Sequence, residues 1–436
     1  MSIDFSGRSS ARMSPYYFCF TSGFARKCAL GYLVFFVLFG VQINLISAAP
    51  GEQDLARGEY LTRVGNCLGC HTAKGGVPFA GGRRLSTAFG TFVTPNITPD
   101  KETGIGHWTE EDFWLAMHEG KSRDGRMLYP AFPYTEFTKV SRADVKSIFQ
   151  YLQSIAAVSQ VNPAHEIPFP YNSKPLLFGW RKLFFKQGIY EADPTQNEEW
   201  NRGAYLVQGL GHCDACHTAR NEVGAKKDAA VGGGQMMGAN WYAPSLYSRK
   251  EASVTDWSLE AIIELLSSGV SKHANVSGPM ATVVQQSLQY WSPQDIRAMA
   301  VYLKSLPDKT AQENVRYPEM PESAKRYLAQ GEKVYEKHCQ DCHGEVGQGI
   351  PGIYPALANN RSVTLPVPLN LIRAVLNGGY PPTTHLNPQP YGMPPFQQFL
   401  RDDEIAQVIS YIRNAWGNRA GLVTIVDVDQ GRGGNH

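Results

Sequence analysis

Apolar positions in this chain recur at helical spacing in short stretches, and the stretches come in three sets. "RGEYLTRVGNC" (Arg57–Cys67), "RGAYLVQGLGHC" (Arg202–Cys213) and "QGEKVYEKHC" (Gln330–Cys339) each read as a short helix running into a cysteine. Further on, "DVKSIFQYL" (Asp144–Leu152), "DIRAMAVYL" (Asp295–Leu303) and "EIAQVISYI" (Glu404–Ile412) each place an acid seven positions before a Tyr. The acid suits a first helical turn. Ser141 and Ser292 stand three residues earlier, where an N-cap belongs. A middle helix is expected at Trp108–Gly120, Trp257–Gly269 and Leu369–Gly379, each ending at Gly. The period-2 alternation of strands and the glycine pattern of nucleotide-binding folds are both missing from this picture. The fold class expected is therefore all-α, with one small helical domain repeated in tandem.

Between these stretches the chain is rich in turn formers, with 42 Gly and 28 Pro in 436 residues. That implies long loops between helices. The N-terminus has the pattern of an export signal. Arg8, Arg12, Arg26 and Lys27 precede an apolar run from Ala29 to Ile46, and Ser47, Ala48 and Ala49 offer a cleavage site. An uncleaved anchor is the alternative, because the run is just long enough to span a bilayer. Removing residues 1–49 takes the formal net charge from +2 to −1, since four Lys/Arg and one Asp lie within it. No basic footprint for nucleic acid remains.

Cysteine use sharpens the picture. Cys19 and Cys28 lie in the leader. The other six form "CLGCH" (Cys67, Cys70, His71), "CDACH" (Cys213, Cys216, His217) and "CQDCH" (Cys339, Cys342, His343). A disulfide framework would not place a His after every pair, and zinc would combine pairs around one ion. C-x-x-C-H is the attachment signature of c-type haem, with two thioethers to the porphyrin and the His facing the iron. Three covalent haem c groups are expected. A fourth echo follows each motif: "TPNI" (Thr94–Ile97), "APSL" (Ala243–Leu246) and "YPAL" (Tyr354–Leu357). Pro95, Pro244 and Pro355 could supply a backbone carbonyl to the second nitrogen of each His, or could be plain turns. The reading divides the chain into a signal (1–49), three class I cytochrome c-type domains (50–155, 200–306 and 322–418), linkers at 156–199 and 307–321, and a tail (419–436).

A haem iron held by His and Met is closed to substrates and suited to electron transfer. Met393, fifty residues after His343, and Met280, sixty-three after His217, stand in Gly/Pro contexts that suggest ligand loops. Met236, Met237 and Met299 compete less well. In the first domain Met127, fifty-six after His71, is the candidate sixth ligand. The spacing of the repeat, however, puts Phe132 in the ligand place, nineteen before the closing Tyr against 22 and 18 for Met280 and Met393. Phe cannot bind iron, so the first haem has either Met127 or no Met ligand.

"NITPDKETGIGHWTEEDF" (Asn96–Phe113), "LYPAFPYTEFTKV" (Leu128–Val140), "EWNRGAYLVQGLGHCDACHTARN" (Glu199–Asn221), "GPMATVV" (Gly278–Val284) and "YGMPPF" (Tyr391–Phe396) extend the match beyond the haem motifs. With them the chain resembles, over its whole exported length, the triple-haem cytochrome c subunits of bacterial membrane-bound dehydrogenases. These include quinoprotein alcohol dehydrogenase and the flavoprotein gluconate, sorbitol and fructose dehydrogenases. The resemblance implies a subunit on the periplasmic side of the cytoplasmic membrane. It would take electrons from a catalytic dehydrogenase subunit and pass them to ubiquinone or a terminal oxidase. Members such as the alcohol dehydrogenase subunit carry Met where this chain has Phe132. The alternative is a peroxidase-like haem enzyme with an open first haem. Finally, "FPYNSKPLLFGWRKLFFKQG" (Phe169–Gly188) interleaves Leu, Phe and Trp with Lys and Arg, as a segment lying on a membrane surface would. Packing between domains is the other reading.

Overall fold

The computed structural model describes residues 51–227, 230–236, 238–308 and 322–433. The expected signal, most of the second linker and Met237 lie outside these. The first repeat contains α1 (Glu52–Val64), a hairpin of β1 (Arg84–Thr87) and β2 (Gly90–Val93), α2 (Glu110–Glu119) and α3 (Arg142–Ser154). Then comes α4 (Lys174–Phe184). The second repeat has α5 (Glu198–Tyr205), a π-helical turn at Leu206–Leu210, a short hairpin of β3 (Gly234–Gln235) and β4 (Tyr242–Ala243), α6 (Leu259–Ser268), α7 (Gly278–Gln286) and α8 (Pro293–Lys304). The third has α9 (Glu322–His338), α10 (Leu369–Asn377) and α11 (Asp402–Ile412), followed by α12 (Ile425–Arg432). Both hairpins are antiparallel.

The helix ends follow from local chemistry. Ser141 and Ser292 accept the backbone N–H of Asp144 and Asp295 at 3.2 and 3.1 Å, capping α3 and α8. The third copy lacks the Ser, and Glu404 instead accepts the backbone N–H of Arg401 at 2.9 Å. α2 opens on a reciprocal Thr109–Asp112 capping box. The middle helices stop at Gly120, Gly269 and Gly378, with φ of 61°, 80° and 60°. The third stop is one residue earlier than the spacing suggested.

In all three repeats the first helix crosses the closing one at a glycine. A Cβ on Gly58, Gly203 or Gly331 would lie 2.1, 2.0 or 2.1 Å from the carbonyl oxygen of Ser147, Ala298 or Gln407. The partner is always three residues past the acid that opens the closing helix, so this contact fixes one crossing geometry three times.

Two apolar cores result among the described residues. One joins the first two repeats, with Leu61, Ile148, Leu152, Leu206, Leu210 and Ile262 at 0–1% exposure. Burying each such side chain is worth about 1.5–3 kcal/mol. The other belongs to the third repeat and takes in Val423 and Val428, so the expected tail is part of that core. On α4, Leu177 is buried. Arg181 donates to the carbonyls of Glu119 and Gly120 at 2.5 and 3.3 Å, capping α2, and its guanidinium lies over the Tyr134 ring. The segment therefore does pack against a domain, yet Leu176, Phe178, Leu183 and Phe184 stay exposed. Among the described residues no helix is long and apolar enough to cross a membrane.

Candidate haem-attachment sites

Each C-x-x-C-H forms a short helical turn directly after the first helix of its repeat. The following His is then held from behind. Nδ1 of His71 is 2.8 Å from the Pro95 carbonyl, Nδ1 of His217 is 2.7 Å from that of Pro244, and Nδ1 of His343 is 3.1 Å from that of Pro355. A carbonyl only accepts, so Nδ1 carries the proton and Nε2 presents a lone pair. Burial pushes all three imidazoles below their usual range, opposed by these carbonyls, and favours the neutral ring. Burial also pushes the thiols of Cys67, Cys213 and Cys339 up to about 12. All six cysteines are free of disulfides.

The first site opens onto a cavity of about 1010 Å³. Cys67, Cys70 and His71 line it, with Phe92, Ile97, Ile105 and Phe113 among its apolar walls. Two thiols, one imidazole lone pair and an apolar pocket of this size are the donor set and environment a covalently attached haem needs. Phe132 lines this cavity, as the repeat spacing implied. Met127 does not, although its neighbours Arg126 and Leu128 do. Met127 bridges to Lys121 in an extended pairing, much as Met393 does to Gly379. The methionine in this wall is Met117, on α2.

Met280 and Met393 stand differently from each other. Met280 is the third residue of α7, in a first helical turn and not in the loop expected. Met393 is extended and exchanges backbone hydrogen bonds with Gly379 at 2.7 and 3.0 Å. Both are half-buried against their cores. Met299 is a core residue of α8, 1% exposed.

The first two sites are joined by polar contacts that periodicity could not reveal. Lys226 lies 2.8 Å from both Asp214, inside the second motif, and Glu136, buried in the first repeat. Burial would raise the Asp214 carboxyl, but the charge and hydrogen bond of Lys226 outweigh it and hold the carboxyl below its usual range. A second link is reciprocal. Asp144 pairs with Arg57 of its own repeat and accepts Tyr205 Oη of the other at 2.6 Å. Asp295 pairs with Arg202 of its own repeat at 2.7 Å and accepts Tyr60 Oη of the other at 2.6 Å. The repeated "RGEY" and "RGAY" were the visible signal for this pairing. The third repeat has Gln330 and Lys333 at those positions.

Comparisons with known proteins agree with this chemistry. A cytochrome c family model matches residues 55–156 and 328–416. The cytochrome c subunit of a quinone-dependent alcohol dehydrogenase from Gluconobacter oxydans is 37% identical over 90% of this chain and 85% of its own length. The gluconate 2-dehydrogenase cytochrome c subunit of Pantoea cypripedii is 36% identical over 92% of each. A nicotinate dehydrogenase component from Pseudomonas putida is 42% identical over 83% of this chain, which spans 30% of that longer protein. The chain belongs to the family of cytochrome c subunits of dehydrogenase complexes.

Proposed function

We propose that this chain carries three covalently bound haem c groups and passes electrons from a catalytic dehydrogenase subunit to ubiquinone or a terminal oxidase, on the periplasmic side of the cytoplasmic membrane. One observation carries the haem count: the same His Nδ1–H to Pro carbonyl bond recurs at all three motifs. Each bound haem would supply a one-electron iron couple. Cys67 and Cys70, Cys213 and Cys216, and Cys339 and Cys342 would hold the three haems through thioethers. His71, His217 and His343 present Nε2 to the metal, with tautomer and ring angle set by the Pro carbonyls. Met280 and Met393 are the proposed sixth ligands of the second and third haems, closing those sites to substrate and raising their potential. Exposed Leu176, Phe178, Leu183 and Phe184 on α4, beside Lys174, Lys182 and Lys186, favour contact with a membrane surface.

The chain is to be produced with a c-type cytochrome maturation system. Three haems per polypeptide, by haemochrome absorbance and by mass, together with copurification of a dehydrogenase subunit, are the expected results. Two haems or fewer would sink the count, and peroxide turnover at the first site would favour the peroxidase-like reading. That second reading draws on Phe132 in the cavity wall and Met127 outside it.

A further inference from the structure

We propose that His212, a residue of the second repeat, is a component of the first repeat's haem site and tunes the haem held there. This rests on the reading that each C-x-x-C-H carries a haem. His212 lines the same cavity as Cys67, Cys70 and His71. It also directly precedes Cys213, so one residue belongs at once to the wall of the first site and to the attachment turn of the second.

The side chain is held for that place. Its backbone has φ of 40°, in the left-handed region that few non-Gly residues occupy. Nδ1 lies 3.0 Å from the Leu210 carbonyl. The carbonyl only accepts, so the proton is on Nδ1 and Nε2 keeps its lone pair, as in His71. The ring meets the edge of Phe137 at 5.3 Å, and Phe137 meets Phe132 at 5.5 Å. These contacts place His212 in an aromatic row with the residue that stands where the other repeats have Met.

The other histidine in this wall behaves differently. His165 accepts the Val93 N–H on Nδ1 at 3.1 Å, so its proton is on Nε2 and it offers no second lone pair. The matching residue on the first motif is Asn66, also left-handed with φ of 51°. It packs beside Gly69 and Gln286 of α7, since a Cβ on Gly69 would lie 2.3 Å from Asn66 Oδ1 and 2.6 Å from Gln286 Oε1. Each attachment turn thus leans on the other repeat's segment opposite the His. Of the two leaning residues, only His212 brings an imidazole.

The test uses the full-length, haem-loaded protein with His212→Phe and, as the milder change, His212→Asn. Haem content is measured first. Fewer than three haems in the unmutated protein would defeat the haem reading whatever His212 does. With three present, each variant is titrated spectroelectrochemically, and the first haem's component is assigned by its loss in a Cys67→Ser/Cys70→Ser protein. The expected result is about a tenfold change in the oxidised-to-reduced ratio of the first haem at fixed potential, about 59 mV for a one-electron couple, with the third haem unmoved. A lowered melting temperature with all potentials unchanged in both variants would show a purely structural residue and overturn the proposal. So would equal shifts at all three haems.

Discussion

At the scale of single residues, mutation tells the proposed sulfur ligands from the other methionines. Met280→Ala and Met393→Ala are each expected to remove part of the sulfur-to-iron absorption band and to lower one reduction potential, because Met ligation raises it. Met127→Ala is expected to leave the band unchanged, since Met127 is not among the residues that line the cavity. Loss of band intensity in the Met127 variant would restore it as a ligand. The sequence made the proximal side fully readable: the Pro echo after each motif located the carbonyls that hold the histidines. The distal side of the first site was only half readable. Spacing identified Phe132, but the pairing of Met127 with Lys121, outside the cavity wall, leaves no periodic trace. His212 was hidden for another reason. Its role depends on how one repeat sits against the next, while every pattern in the sequence described a repeat on its own.

At the scale of elements, the glycine crossing and α4 make opposite kinds of claim. Gly331→Ala would drive a Cβ to 2.1 Å from a backbone carbonyl, an atom that cannot swing aside. A loss of about 3 kcal/mol or more in chemical denaturation is expected. An unchanged midpoint would show that α9 and α11 can slide apart at no cost. α4 should tolerate change to its outward side chains, since Leu183 is 76% exposed. Leu183→Glu is expected to leave the unfolding free energy within about 0.5 kcal/mol, yet to weaken sedimentation with anionic lipid vesicles. Equal vesicle binding by both proteins would remove α4 from the membrane contact. The helices themselves were plain in the sequence because caps and stripes are local. The two hairpins and α12 were not, as they are too short or too mixed in polarity to show a period.

At the scale of the whole molecule, the first two repeats share a core and a pair of exchanged hydrogen bonds, and acid should loosen that union. Burial alone would raise the Asp295 carboxyl, but Arg202 and Tyr60, which donate to it, hold it below the usual 3.8. A lowered carboxyl stabilises the fold fully above its unfolded value and loses that contribution as pH falls through the folded one. Asp295→Asn should therefore cost about 1.5–3 kcal/mol at pH 7, and the gap to the unmutated protein should close as pH drops below about 4. A gap that is constant from pH 7 to pH 3 would mean that the charge on Asp295 is not what holds the repeats together. The third repeat has its own core and lacks the Arg/Tyr set, so this acid response is expected to spare it.

The exchanged tyrosines have the form of a two-fold contact, in which each partner gives the other what it receives. Between separate identical chains, such a contact forces every residue to serve on both sides at once. Here both partners lie on one polypeptide, and that obligation is lifted. Matching positions can carry Asn66 on one side and His212 on the other. A symmetric scaffold can thus hold two unlike sites.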